Sequence, residues 1–172
     1  MILLTGGSAC GKSTFAEHLL IMRAQPRYYI AAMRPYGSEG VLRIERHRAM
    51  RADKGFITIE RYTDMAGLKL PLRGTVLLEC LCNLTANEMF DEEGVGDEAS
   101  DAVIRGLENL REQASELIVV TNEVGSGKES FNDQTPGYIE VLGRVNRRAA
   151  EMSDTVLELV CGIPLVIKGD MP

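Results

Sequence analysis

The chain has 172 residues, 45% hydrophobic and 26% charged, a length for one domain and a composition too apolar for a disordered chain. Nineteen basic against twenty-five acidic residues leave a net charge of −6, which argues against a nucleic-acid binder as a label for the whole chain. No apolar run approaches the roughly 18 residues of a membrane span, the first residues carry no basic leader, and four cysteines in no zinc spacing suit a cytoplasmic protein with reduced thiols.

In chain order, residues 2–5 are a short apolar run ending at glycines and read as a buried strand. Residues 6–11 form a loop, and 12–23 a helix closed by Pro26. Residues 28–32 read as a second buried strand and 41–51 as a helix entered from a loop with Gly37 and Gly40. Strands follow at 56–60 and 75–80, then a helix at 81–90, an acidic loop at 91–96 and a polar-faced helix at 97–114. Residues 117–121 are another strand, 122–136 a loop and 138–152 a helix. The last strands lie at 155–160 and 165–168, with a turn at 162–164. Strands alternating with helices imply right-handed crossovers and a mostly parallel sheet. The final pair is joined too closely for a crossover and is expected to be antiparallel. The expected fold is a single α/β domain spanning 1–172, its sheet flanked by helices. Cys80, Cys82 and Cys161 read as small buried or half-buried hydrophobes.

Gly6-Gly7-Ser8-Ala9-Cys10-Gly11-Lys12-Ser13 matches G-x4-G-K-[ST] between a strand and a helix, the context a phosphate-binding loop requires. Its glycines let successive N–H groups converge on phosphate oxygens, and the helix adds its positive end. Lys12 reaches the β and γ phosphates, and the Ser13 hydroxyl is placed to ligand Mg²⁺. Glu79 ends an apolar strand, where a carboxylate arrives on the phosphate side of a parallel sheet. It is the candidate second metal-site residue, against the alternative of an acid that serves solubility.

Charge is uneven along the chain. Residues 23–61 hold nine basic and four acidic side chains, and residues 79–140 three basic and fifteen acidic. Within the basic block, Arg43, Arg46, Arg48 and Arg51 surround His47. Arg43, His47 and Arg51 share one helix face at spacings of four. One reading is a solvated basic face; the other is a neutral imidazole nucleophile whose neighbouring arginines offset phosphoryl charge. His18, in the helix after the loop, lacks such surroundings and reads as a surface or packing residue.

Taken with R-I-x-x-H-x-x-x-R at 43–51, Leu77-Leu78-Glu79-Cys80, Thr121-Asn122-Glu123-Val124-Gly125 and Gly143-Arg144-Val145-Asn146, the chain resembles the bifunctional adenosylcobinamide kinase / adenosylcobinamide-phosphate guanylyltransferase family of cobalamin biosynthesis over nearly its whole length. The resemblance implies a RecA-like P-loop NTPase fold and two reactions: phosphorylation of adenosylcobinamide by a nucleoside triphosphate, then GMP transfer from GTP through a histidine phosphoramidate to give adenosylcobinamide-GDP. It implies His47 as nucleophile and guanine-nucleotide positions at Ala31, Ala32, Met33, Arg48, Ala49, Met50, Arg51, Glu60 and Glu79. GTP, ATP and Mg²⁺ are the implied nucleotides and ion, a corrinoid the substrate, and a homotrimer the assembly. Departures from the family pattern include Ala9-Cys10 for its usual Arg-Ser pair, Phe56 for a Trp, and residues 126–131. A guanylyltransferase without the kinase half and a different P-loop small-metabolite kinase are the alternative functions. A nucleotide switch domain is disfavoured, since 121–124 is not the N-K-x-D of signalling GTPases.

Overall fold

A computed structural model describes residues 1–35, 37, 45, 48–49, 54–124 and 135–172. Among them run β1 (Ile2–Thr5), α1 (Lys12–Ile21), β2 (Arg27–Ala31), β3 (Ile57–Glu60), β4 (Thr75–Glu79), α2 (Leu81–Phe90), α3 (Ala99–Gln113), β5 (Glu116–Val120), α4 (Thr135–Met152), β6 (Thr155–Val160) and β7 (Ile163–Lys168), with 3₁₀ turns at Met65–Gly67 and Gly96–Glu98. The strands form one sheet in the order β3-β2-β4-β5-β1-β6-β7. Every pair is parallel except β6–β7, which is antiparallel as the short connection requires.

Strand alternation divides the core into two layers. Leu3, Tyr28, Ile30, Val76, Leu78, Leu117, Val119 and Val156 face one way and pack on Leu81, Leu84, Val103, Leu107, Leu110, Val145 and Ala149 from α2, α3 and α4. Their immediate neighbours Ile2, Leu4, Tyr29, Leu77, Ile118, Val120 and Leu157 face the other way and pack on Ala16 and Leu20 of α1. This period of two explains why the strands read as continuous apolar runs: both faces are covered. A fully buried Leu or Ile contributes about 1.5–3 kcal/mol, so the two layers together fix the strand register that positions the site.

Several boundaries differ from the sequence reading. α1 ends at Ile21 rather than 23, and α4 is helical from Thr135 rather than 138. Pro136 is tolerated there because a first-turn residue has no intrahelical partner for the N–H it lacks. The last strand starts at Ile163 and includes Pro164, an edge position where no ladder hydrogen bond is lost on the open side. The turn is therefore Cys161-Gly162, and Cys161 is exposed, against the expectation of a buried or half-buried side chain. The Met65–Gly67 turn was not expected; it sits against α3 where Gly106 permits close approach, since a Cβ there would stand 2.6 Å from Met65 Cβ. In the expected helix 41–51, residues 45, 48 and 49 are helical and the remainder, His47, Met50 and Arg51 included, lie outside the described residues, as do Gly40 and residues 126–131. No helix among the described residues is long and apolar enough to cross a membrane.

Candidate nucleotide site

The site is built on the carboxyl ends of the parallel strands. The ladder registers place Glu60, Ala31, Glu79, Val120 and Leu4 in one row across β3, β2, β4, β5 and β1. The loop 6–11 leaves the end of β1 and turns directly into α1. Two glycines make this possible. Gly6 has φ +135°, and a Cβ on it would stand 2.5 Å from the Leu159 carbonyl oxygen. Gly11 caps α1 in the left-handed region at φ +99°. Gly7, Ser8 and Ala9 form the exposed tip.

Lys12 is 6% exposed and folds back over the loop. Its Nζ donates to the carbonyls of Gly6 at 2.8 Å and Gly7 at 2.6 Å and lies 3.6 Å from Cys10 Sγ. The ammonium is thereby held at the loop's centre. Ser13 follows as the second residue of α1, and its Oγ donates to Glu79 Oε1 at 2.5 Å. β5 separates β4 from β1, so the carboxylate reaches the loop across an intervening strand. Burial raises the Glu79 carboxyl to about 7; the Ser13 hydrogen bond lowers it, the Glu17 charge raises it further and Lys12 offsets part. The two oxygens are hard donors of the type a small divalent cation takes, so Ser13 and Glu79 fit the ion that the loop motif implies. Among the described residues no cluster of three or more His, Cys, Asp or Glu side chains could hold a metal by itself.

On the β3 side, Arg48, the residue after His47, forms an ion pair with Glu60, which also accepts from Tyr62 Oη at 3.0 Å. That pairing holds the Arg48 guanidinium further above its ordinary range. Glu60 opens a shallow cleft of about 380 Å³ that continues along Arg61, Tyr62, Thr63 and Asp64 to Glu93. Ala49 is exposed beside Arg48. Ala31 and Met33 are half-buried, whereas Ala32 is fully buried. Ala32 donates its N–H to the Glu79 carbonyl at 2.9 Å and accepts from Asn87 Nδ2 at 2.8 Å, so it ties β2 to β4 rather than offering a surface. His18 is exposed on α1.

Two groups of residues at this edge escaped the sequence reading. Glu17 is 1% exposed and ion-paired to Lys54, while its Oε1 has no hydrogen-bond partner among the described residues. Its signal was present: it stands four residues after Ser13 on one helix face, beside buried Ala16. The second group joins segments read separately. Thr121 Oγ1 donates to Asn146 Oδ1 at 2.7 Å, Asn146 Nδ2 donates to the Asn122 carbonyl at 3.3 Å, and the Asn122 N–H donates to Cys82 Sγ at 3.2 Å. Cys80 and Cys82 are buried here as expected. They share hydrogen bonding that lowers Cys82 and, together with burial, raises Cys80.

A family model described as cobinamide kinase / cobinamide phosphate guanyltransferase matches residues 2–167. The chain is 32% identical to a bifunctional adenosylcobalamin biosynthesis protein of Escherichia coli strain K12, over 98% of this chain and 99% of that protein. A protein of the same description from Pseudomonas aeruginosa is 29% identical over 98% of this chain and 97% of its own length. A solved structure from Pyrococcus horikoshii OT3 matches with a TM-score of 0.55 at 12% identity, covering 98% of this chain and 86% of that one, a likeness of fold.

Proposed function

The chain belongs to the cobinamide kinase / cobinamide phosphate guanyltransferase family, and from that premise we propose that its one phosphate loop serves both reactions, with His47 as carrier of the guanylyl group. The protein is a transferase of adenosylcobalamin biosynthesis, a kinase and guanylyltransferase that uses GTP and acts on cobinamide corrinoids. The observation that carries the site reading is the contact of Ser13 with Glu79 beside the buried Lys12 ammonium. It gathers a cation, a hydroxyl and a carboxylate at the loop.

In the kinase step the aminopropanol hydroxyl of the corrinoid attacks the γ-phosphorus of a nucleoside triphosphate, ATP or GTP. The O–P bond forms as the bond to the leaving nucleoside diphosphate breaks. In the transfer step the neutral His47 imidazole attacks the α-phosphorus of GTP, forming N–P and releasing pyrophosphate. The phosphate of the corrinoid then attacks that phosphorus and frees the histidine. Lys12 and the loop N–H groups hold the leaving phosphates in both steps. Ser13 and Glu79 would hold Mg²⁺, which would supply charge neutralisation at the phosphates. The Arg48–Glu60 ion pair supports a role for Arg48 at the same strand ends, because Glu60 shares the ladder row with Glu79. The apolar side chains exposed along the edge strand β7, Ile163, Leu165, Val166 and Ile167, support self-association, of which the homotrimer implied by the family resemblance is one form.

The test is incubation with α-labelled GTP. Acid-labile, base-stable label on the wild-type protein and none on His47→Ala is the expected result. Label that persists in His47→Ala, or a wild type that never labels while it still makes adenosylcobinamide-GDP, overturns the carrier role.

A further inference from the structure

Two cysteines from distant parts of the chain meet at the phosphate loop. Cys10 is its fifth residue, and Cys161 stands in the turn between β6 and β7. The Gly162 N–H donates to the Cys10 carbonyl at 2.9 Å, and a Cβ on Gly11 would stand 3.4 Å from Gly162 Cα. By standard backbone dimensions this bond holds the Cα atoms of Cys10 and Cys161 within about 7–8 Å of each other. A disulfide spans about 4.4–6.8 Å between Cα atoms, so a small movement of the turn or the loop closes the gap. The Cys10 side chain packs against the core cluster that includes Leu157 and Leu159 of β6. Its sulfur lies 3.1 Å from the Cβ position of Gly6, which is itself 2.5 Å from the carbonyl oxygen of Leu159, two residues before Cys161. Cys161 is exposed and Cys10 half-buried, so the pair is open to a small oxidant from the Cys161 side.

We infer that Cys10 and Cys161 form a dithiol modification site at the phosphate loop, taking small disulfide oxidants of the glutathione class, and that its oxidation shuts the loop to nucleotide. The inference rests on the nucleotide reading of residues 6–13. The Cys161 thiolate attacks one sulfur of oxidised glutathione, forming a mixed disulfide and expelling one glutathione thiolate. The Cys10 thiolate then attacks Cys161 Sγ and expels the second. Two protein thiols are oxidised, one glutathione disulfide is reduced, and the two protons go to the released thiolates. The bridge pins the loop at Cys10 to the β6–β7 turn. It opposes the rearrangement in which Lys12 leaves the Gly6 and Gly7 carbonyls and the loop N–H groups close on phosphate. In a reducing compartment the thiols stay apart and the site stays open.

The experiment treats the full chain with oxidised glutathione, maps its disulfides under non-reducing conditions and titrates Mg-GTP before and after. Expected are a Cys10–Cys161 cross-linked peptide, GTP affinity reduced by about tenfold or more, and recovery with dithiothreitol. Cys161→Ser should bind GTP in the reduced state within about twofold of wild type, form no bridge, and keep its affinity after oxidation. A bridge that maps to Cys80–Cys82 instead, a Cys161→Ser protein inhibited as strongly as wild type, or a bridged protein of unchanged affinity overturns the inference. A reduced wild type that does not bind GTP at all, while the bridge still forms, overturns the nucleotide reading of the loop and with it the gating.

Discussion

Replacing Glu79 by glutamine separates the electrostatic cost of the site from its use. Burial raises this carboxyl from 4.5 to about 7. The native protein therefore keeps the proton across an interval in which the unfolded chain has released it. A carboxyl raised in this way gives stability that is complete below about 4.5 and is lost as pH climbs through about 7. The interval corresponds to about 3 kcal/mol at most. Glu79→Gln is close in shape, can still accept the Ser13 hydrogen bond, and is neutral at every pH, so it escapes the penalty. At pH 8 the variant should be about 2–3 kcal/mol more stable, about 5–10 °C in Tm for a domain of this length. At pH 4 the two proteins should melt together. Thermal or denaturant unfolding across that pH range checks this, and Mg-GTP titration of the same variant should show weakened binding. A variant that melts with or below wild type at pH 8, or a gap that does not change with pH, refutes the account of Glu79.

Lys54→Met leaves the Glu17 carboxylate buried without its cation and should cost about 2–3 kcal/mol; the Glu17→Gln/Lys54→Met double variant should recover most of that, read as Tm of the three proteins. Gly6→Ala places a Cβ against the Leu159 carbonyl at a backbone angle that L residues avoid, so GTP binding should be lost and unfolding should come about 1–3 kcal/mol earlier. Gly106→Val drives a side chain into the fully buried Met65. It should cost about 2–3 kcal/mol, read by denaturant midpoint, with nucleotide affinity in the folded protein unchanged.

What the sequence disclosed and what it hid follow from the range of the interactions. The β1–loop–α1 unit was legible because glycine conformation, the loop lysine and the helix start are chemistry of adjacent residues. Glu79 was legible as an acid at a strand end. Its meeting with Ser13 was expected too, as the second residue of one ion site; that β5 lies between their strands was not, because strand order depends on partners far away in the chain. The same holds for Thr121, Asn122 and Asn146, which were picked out in separate segments and become one hydrogen-bonded group only when α4 packs at the end of β5. Local signals also misled. Pro136 and Pro164 read as breaks, yet a first helical turn and an edge strand both accept proline. Cys161 read as a small hydrophobe because composition does not reveal that its two-residue turn projects into solvent.

Lys12→Ala distinguishes one phosphate loop shared by both reactions from two separate sites. Phosphorylation of adenosylcobinamide and GTP-dependent guanylylation of its phosphate would be assayed separately on this variant and on wild type. Both rates should fall together, by about a hundredfold or more, since the same ammonium holds the leaving phosphates in each. If one reaction keeps its wild-type rate while the other is lost, the two do not share the loop and the account is contradicted.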